Sequence, residues 1–222
     1  MAAQPISISV REGEAVSGLW LAPDHPRVCL VLAHGAGAGM NHRAMTAIAE
    51  GLGRLGVATL RFQFPYMELG RKRVDAPAVA QATVRAAVAA AQQRAADLPL
   101  FAGGKSFGGR MTSQAQAQAP LEGVRGLVFF GFPLHPAGKP SVERAAHLAA
   151  TAIPLLFLQG TRDALADLAL LQGAVDGLGP RASLRLIADA DHAFHVPAKT
   201  GRKDAEVLDE ALVDAVAWMA AC

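Results

Sequence analysis

FAGGKSFGGR, residues 101–110, admits two readings that cannot both hold. Gly103-Gly104-Lys105-Ser106 has the tail of a phosphate-binding loop, in which a lysine and a hydroxyl hold nucleotide phosphates and magnesium. Gly104-Lys105-Ser106-Phe107-Gly108 also fits G-x-S-x-G, the strained strand-to-helix turn that presents a nucleophilic serine. A phosphate loop needs a glycine five positions before Gly104, so that the intervening backbone can wrap its N–H groups around the phosphates. That position is Pro99, and Leu100, Phe101 and Ala102 continue a strand up to the glycines, leaving no room for the cradle. The turn explains more residues: Gly104 and Gly108 remove side chains two positions either side of Ser106, where strand and helix nearly collide. A serine that merely caps the following helix fits Ser106 equally well in isolation, so its partners decide.

Outward from this turn, apolar runs alternate with longer segments of helical period. The runs are VCLVLA (28–33), VATLRF (57–62), LPLFA (98–102), GLVFF (126–130), PLLFLQ (154–159) and SLRLIA (183–188). Continuous apolar strands separated by helices imply a mostly parallel central sheet flanked by helices, an α/β fold. A crossover helix is expected over 41–55, with Asn41 as N-cap, Gly56 as stop and Met45, Ile48, Leu52 and Leu55 inward. A second, alanine-rich helix opens at Asp75-Ala76-Pro77 and runs to about residue 96, with Val84, Val88 and Ala91 inward and Gln81, Arg85 and Gln92 outward. Two more helices are expected at 165–177 and 203–220, and ISISV with VSGLWLA reads as an antiparallel edge hairpin.

A nucleophilic serine in such a turn needs an acid and then a histidine later in the chain, each on a loop after a strand. PLLFLQGTRD places Asp163 beyond one strand, and SLRLIADADH places His192 beyond the next. His192 would take the serine proton while Asp163 fixes its tautomer. His195 competes for the base, and Asp167 competes less well for the acid because it falls in the next helix. Asp189, Asp191, His192 and His195 resemble a ligand cluster, but no second set of recognised spacing accompanies them, so no metal is expected.

The tetrahedral oxyanion needs two N–H donors, one from Phe107 after the serine and one from the loop after an earlier strand. LVLAHGAGAGM (30–40) contains that loop, with Ala36 the first choice and Gly37 the second. A dinucleotide fingerprint starting at Gly35 fails because Met40 occupies the third glycine position and the next strand ends without a ribose-binding acid. Lys105 beside the serine, Arg162 before Asp163, and Arg71-Lys72-Arg73 could form a positive rim for an anionic substrate, with Tyr66 and Met67 as apolar walls.

Length and charge narrow the class. The chain has 222 residues and no midway shift in composition, so a single domain over 1–222 is expected. A net charge of +2 is too small and dispersed for a nucleic-acid groove or an anionic membrane surface, which favours a small-molecule partner. No stretch reaches the roughly 18 apolar residues of a membrane span, and the start lacks a signal-like segment, so a cytoplasmic protein is expected. Two cysteines, Cys29 and Cys222, give no disulfide framework.

HGAGAGM with Asn41-His42, RFQFPYMELGRKR, GGKSFGGR, GFPLHPAGKP, LQGTRD and DHAFH together resemble the α/β-hydrolase superfamily, particularly its small dienelactone-hydrolase-like members. The set is similar to a subgroup that includes the hydrolase-like region of a subunit of the non-specific-lethal histone acetyltransferase complex. The resemblance spans about residues 28–198 and implies an α/β-hydrolase fold without a cofactor. Dienelactone hydrolases proper use a cysteine where this chain has Ser106, so lactone specificity does not carry over. Only HPAGKPSVERAAHL and its neighbours are available for a lid, so no large lid domain and an open site are expected. The implied activity is hydrolysis of a small ester or thioester by Ser106, His192 and Asp163; a fold kept only for binding is the alternative.

Overall fold

A computed structural model describes residues 2–222. Its strands are β1 (Gln4–Arg11), β2 (Glu14–Leu21), β3 (Val28–Ala33), β4 (Val57–Phe62), β5 (Leu100–Lys105), β6 (Val124–Phe130), β7 (Leu155–Gly160) and β8 (Ala182–Ile187). They form one eight-stranded sheet in the order β1-β2-β4-β3-β5-β6-β7-β8. The β1–β2 hairpin is antiparallel and pairs antiparallel to β4, whereas every pair from β4 to β8 is parallel.

The helices are α1 (Arg43–Arg54), α2 (Pro65–Glu68), α3 (Pro77–Arg94), α4 (Phe107–Gln118), α5 (Leu168–Asp176) and α6 (Asp204–Ala221). Along β3, Cys29, Val31 and Ala33 pack on one face with Val84, Val88 and Met111, while Val28, Leu30 and Leu32 pack on the other with Met45, Ile48 and Leu212. Both faces are therefore covered, which is why the central strands read as unbroken apolar runs instead of alternating. α1 and α6 share the second face so closely that a Cβ at Gly51 would lie 2.3 Å from Leu212 Cδ1.

Several expected boundaries move for local reasons. β5 is displaced from 98–102 to Leu100–Lys105, so Gly103 and Gly104 are strand residues. A Cβ at Gly103 would lie 1.9 Å from the Val128 carbonyl oxygen, and one at Gly104 would lie 2.3 Å from that of Ala33. α1 is capped by His42, not Asn41: the His42 ring accepts from the Ala44 N–H at 3.2 Å. Asp75 does not cap α3 but accepts from the Tyr66 N–H at 3.1 Å. Asp167 caps α5, which starts at Leu168, not at 165, by accepting from the Leu170 N–H at 3.0 Å.

Gln81, Arg85 and Gln92 do not simply face water. Gln81 bonds Gln114, Arg85 donates to the carbonyls of Ala115 and Ala119 at the end of α4, and Gln92 donates to the Glu122 carbonyl. Between β6 and β7 the chain adds only a loop and one 3-10 helix over Glu143–Thr151, so the C-terminal ends of the strands are not roofed by an inserted domain. No helix among the described residues is long and apolar enough to cross a membrane.

Candidate active site

Ser106 stands at the junction of β5 and α4 with φ 52° and ψ −117°. A positive φ costs a non-glycine residue on the order of 1–3 kcal/mol, and here the surroundings enforce it. A Cβ at Gly108 would lie 2.5 Å from the Ala33 carbonyl oxygen, so helix and strand can meet only because that side chain is missing. The Ser106 side chain makes no capping bond to α4, which disposes of the simple-cap reading. Its backbone N–H reaches the Phe130 carbonyl at 3.4 Å, so the turn is held against the end of β6.

Asp163 follows β7 and His192 follows β8, and the fold brings them together. His192 Nδ1 lies 2.6 Å from Asp163 Oδ2. The buried Asp163 carboxylate also accepts from Gln159 Nε2 and, at 2.8 Å, from the Leu165 N–H. Gln159 in turn accepts from the Phe132 N–H at 2.8 Å through its own Oε1. An acid with these three donors holds His192 in the tautomer that carries the proton on Nδ1. His192 Nε2 is buried and has no hydrogen-bond partner among the described residues, so it does not bond Ser106 directly in this structure. The ring lies against the loop after β6, where a Cβ at Gly131 would be 3.3 Å from Nδ1.

Lys105 joins the two halves of this arrangement. Its Nζ donates to the His192 carbonyl at 2.6 Å and stands 5.0 Å from the centre of the Phe194 ring. Burial lowers its ammonium pKa to about 8 even though Asp163 and Asp191 hold it up. The expected open cationic position is thus a half-buried tether between the strand end and the histidine loop. Asp191 folds that loop by accepting from the N–H groups of Ala193 and His195, and Asp189 and Phe194 adopt φ of 59° and 65° within it.

The rival residues have other partners. His195 is exposed and pairs with Asp204 at 2.9 Å, which raises its pKa. Asp167 is occupied as the α5 cap. Arg162 and the 71–73 stretch are exposed, and none of their side chains forms a hydrogen bond or ion pair among the described residues.

The loop after β3 is fixed from beneath by the fully buried His34. Its Nδ1 donates to the Gly35 carbonyl at 2.8 Å and its Nε2 accepts from the Phe64 N–H at 3.1 Å, while burial lowers its pKa to about 4. Tyr66, expected as a wall of the site, is buried and spends its hydroxyl on the Gly37 N–H at 2.9 Å. Gly37 is therefore engaged, whereas the exposed Ala36 N–H has no acceptor among the described residues. Met67 packs partly buried against the core near Gly39. Phe107 N–H opens α4 and so lacks an acceptor one turn back.

A cavity of about 580 Å³ lies between α1, α6 and residues 193–195, with Ile48, Leu208, Phe194 and Lys105 in its walls. Ser106, Asp163 and His192 do not line it, so it opens beside the site. The tether role of Lys105, the bond from the Phe132 N–H to Gln159 and the bond from the Phe64 N–H to His34 escape sequence reading, since each partner is distant in the chain.

Among solved structures, the chain is similar to an alpha-beta serine hydrolase homologue from Coxiella burnetii, with 20% identity, a TM-score of 0.76 and coverage of 96% of this chain and 97% of the other. It is also similar to an a/b serine hydrolase without lid from Xanthomonas campestris, with 21% identity, a TM-score of 0.73 and coverage of 96% and 92%. A dienelactone hydrolase from Anabaena variabilis gives 21% identity, a TM-score of 0.74 and coverage of 98% and 97%. At these identities the likeness is one of fold. Residues 26–220 match the family model described as alpha/beta hydrolase domain, and the chain belongs to that family.

Proposed function

We propose that the protein is a serine hydrolase that cleaves a small carboxylic ester or thioester through an acyl-enzyme. The observation that carries this reading is the Asp163-bound imidazole of His192, whose unpartnered Nε2 lies in the same site as the strained Ser106 turn. Substrate binding draws Ser106 Oγ and His192 Nε2 together, a contact that commonly tightens only in the Michaelis complex. His192 Nε2 takes the hydroxyl proton as Oγ attacks the carbonyl carbon. The oxyanion rests on the N–H groups of Phe107 and Ala36, since Gly37 already serves Tyr66. The leaving alcohol or thiol departs with the proton from His192, and water then reverses the sequence to release the acid. The reading takes residues 1–222 as one cytoplasmic α/β-hydrolase domain with a small-molecule substrate and neither metal nor cofactor.

A fluorophosphonate probe tests it. The wild type is expected to be labelled on Ser106 and Ser106→Ala to stay unlabelled. A folded wild-type protein that resists the probe would overturn the reading in favour of a non-catalytic binding module.

A further inference from the structure

Arg110 and Arg144 form a pair of cations with no acid in ion-pair contact among the described residues. Arg110 lies one turn into α4, and its N–H bonds the Ser106 carbonyl at 3.1 Å. Side chains in a helix lean toward its N-terminus, which here is the Ser106 turn. Arg110 is half-buried, and its Nε is fully buried without a hydrogen-bond partner among the described residues. Arg144 lies in the first turn of the 3-10 helix packed on α4, and its Nη1 is 3.5 Å from the Pro133 carbonyl. That carbonyl belongs to the loop whose Gly131 abuts the His192 ring.

One turn further along, Ser113 and His147 bond at 2.7 Å, which holds the two segments in register and brings Arg110 and Arg144 near each other. Each arginine adds to the cost of its neighbours: burial and Arg144 both lower the Arg110 pKa, and burial and Arg110 lower that of His147 to about 4. Neither arginine forms an ion pair among the described residues. Two half-buried like charges without a counter-ion destabilise the free protein, and an anion placed between them relieves that cost.

We propose that Arg110 and Arg144 receive a carboxylate carried by the substrate, next to the bond that Ser106 attacks. The inference rests on the serine-hydrolase reading and adds the substrate class: esters or thioesters of which one side bears a carboxylate. It differs from steering by the exposed Arg162 and Arg71-Lys72-Arg73 rim, because contact with half-buried guanidinium groups is screened far less by salt.

Two matched pairs test it by kcat/KM. Methyl hexanoate against monomethyl adipate places the charge on the acyl side; phenyl acetate against 4-acetoxybenzoate places it on the leaving group. In at least one pair the wild type is expected to favour the anion by about tenfold or more, as a charge-assisted bidentate contact gives. The preference is expected to survive about 0.5 M salt. Arg110→Met and Arg144→Met are each expected to cut the rate on the anion about tenfold more than the rate on its neutral partner. Absence of anion preference in both pairs, equal losses on both substrates, or a preference that vanishes in salt would each overturn the proposal. Should Arg110→Met fail to fold, Arg144→Met decides. Fluorophosphonate labelling of every variant separates the failures: labelled Ser106 without charge selectivity removes only this inference, and an unlabelled wild type removes the hydrolase reading beneath it.

Discussion

At the scale of single residues, His192 and His195 present the sharpest contrast. Both carry a carboxylate partner, but Asp163 is buried beneath His192 whereas Asp204 and His195 share open solvent. Replacing His192 with Ala is expected to lower kcat by on the order of 10⁴ or more, and His195→Ala by less than about tenfold, measured with a chromogenic ester. A reversed ranking would move the base to His195. Ser106, Asp163 and His192 stand out in the sequence because each follows the end of an apolar run. Gln159 and His34 also end or follow such runs, but their roles stay hidden because they accept from the Phe132 and Phe64 N–H groups, which only the folded sheet brings near. Lys105 could be read as a free cation beside the serine, since nothing local reveals a carbonyl acceptor 87 residues away.

At the scale of elements, all six expected strands form: β3 to β7 because a strand covered on both faces needs no periodicity to be seen, and β8 as a half-exposed edge strand. Helix faces are harder to read where alanine dominates. In α3 alanines occupy both sides of the helix, so the pattern does not distinguish a polar residue facing water from one facing a neighbouring helix. Arg85 belongs to the second kind: its guanidinium takes up the Ala119 carbonyl, which the end of α4 leaves without an intrahelical donor, and shares the Ala115 carbonyl with the Ala119 N–H. Arg85→Ala is therefore expected to destabilise the fold by about 2 kcal/mol, seen as a lower urea midpoint with an unchanged slope. A midpoint equal to that of the wild type would show that water replaces the arginine without loss.

At the scale of the whole molecule, two imidazoles are kept neutral by burial. His34 and His147 both fall from 6.5 to about 4 in the folded chain. The unfolded chain therefore takes up protons first on acidification, and stability falls as it does so. Their contribution is full above pH 6.5, declines below it and is lost once the pH has fallen through 4. Melting temperature is expected to drop over that window, and less steeply in His147→Gln, which keeps a donor toward Ser113 but does not titrate. An identical drop in the variant would place the acid sensitivity elsewhere. The seat of α6 on α1 has a different kind of consequence, one that belongs to biosynthesis. The apolar stripe of Met45, Ile48 and Leu52 leaves the ribosome well before its cover, Val207, Ala211 and Leu212, is translated. Until those residues emerge, one side of the nascent sheet has a bare greasy seam, the surface that holdase chaperones bind.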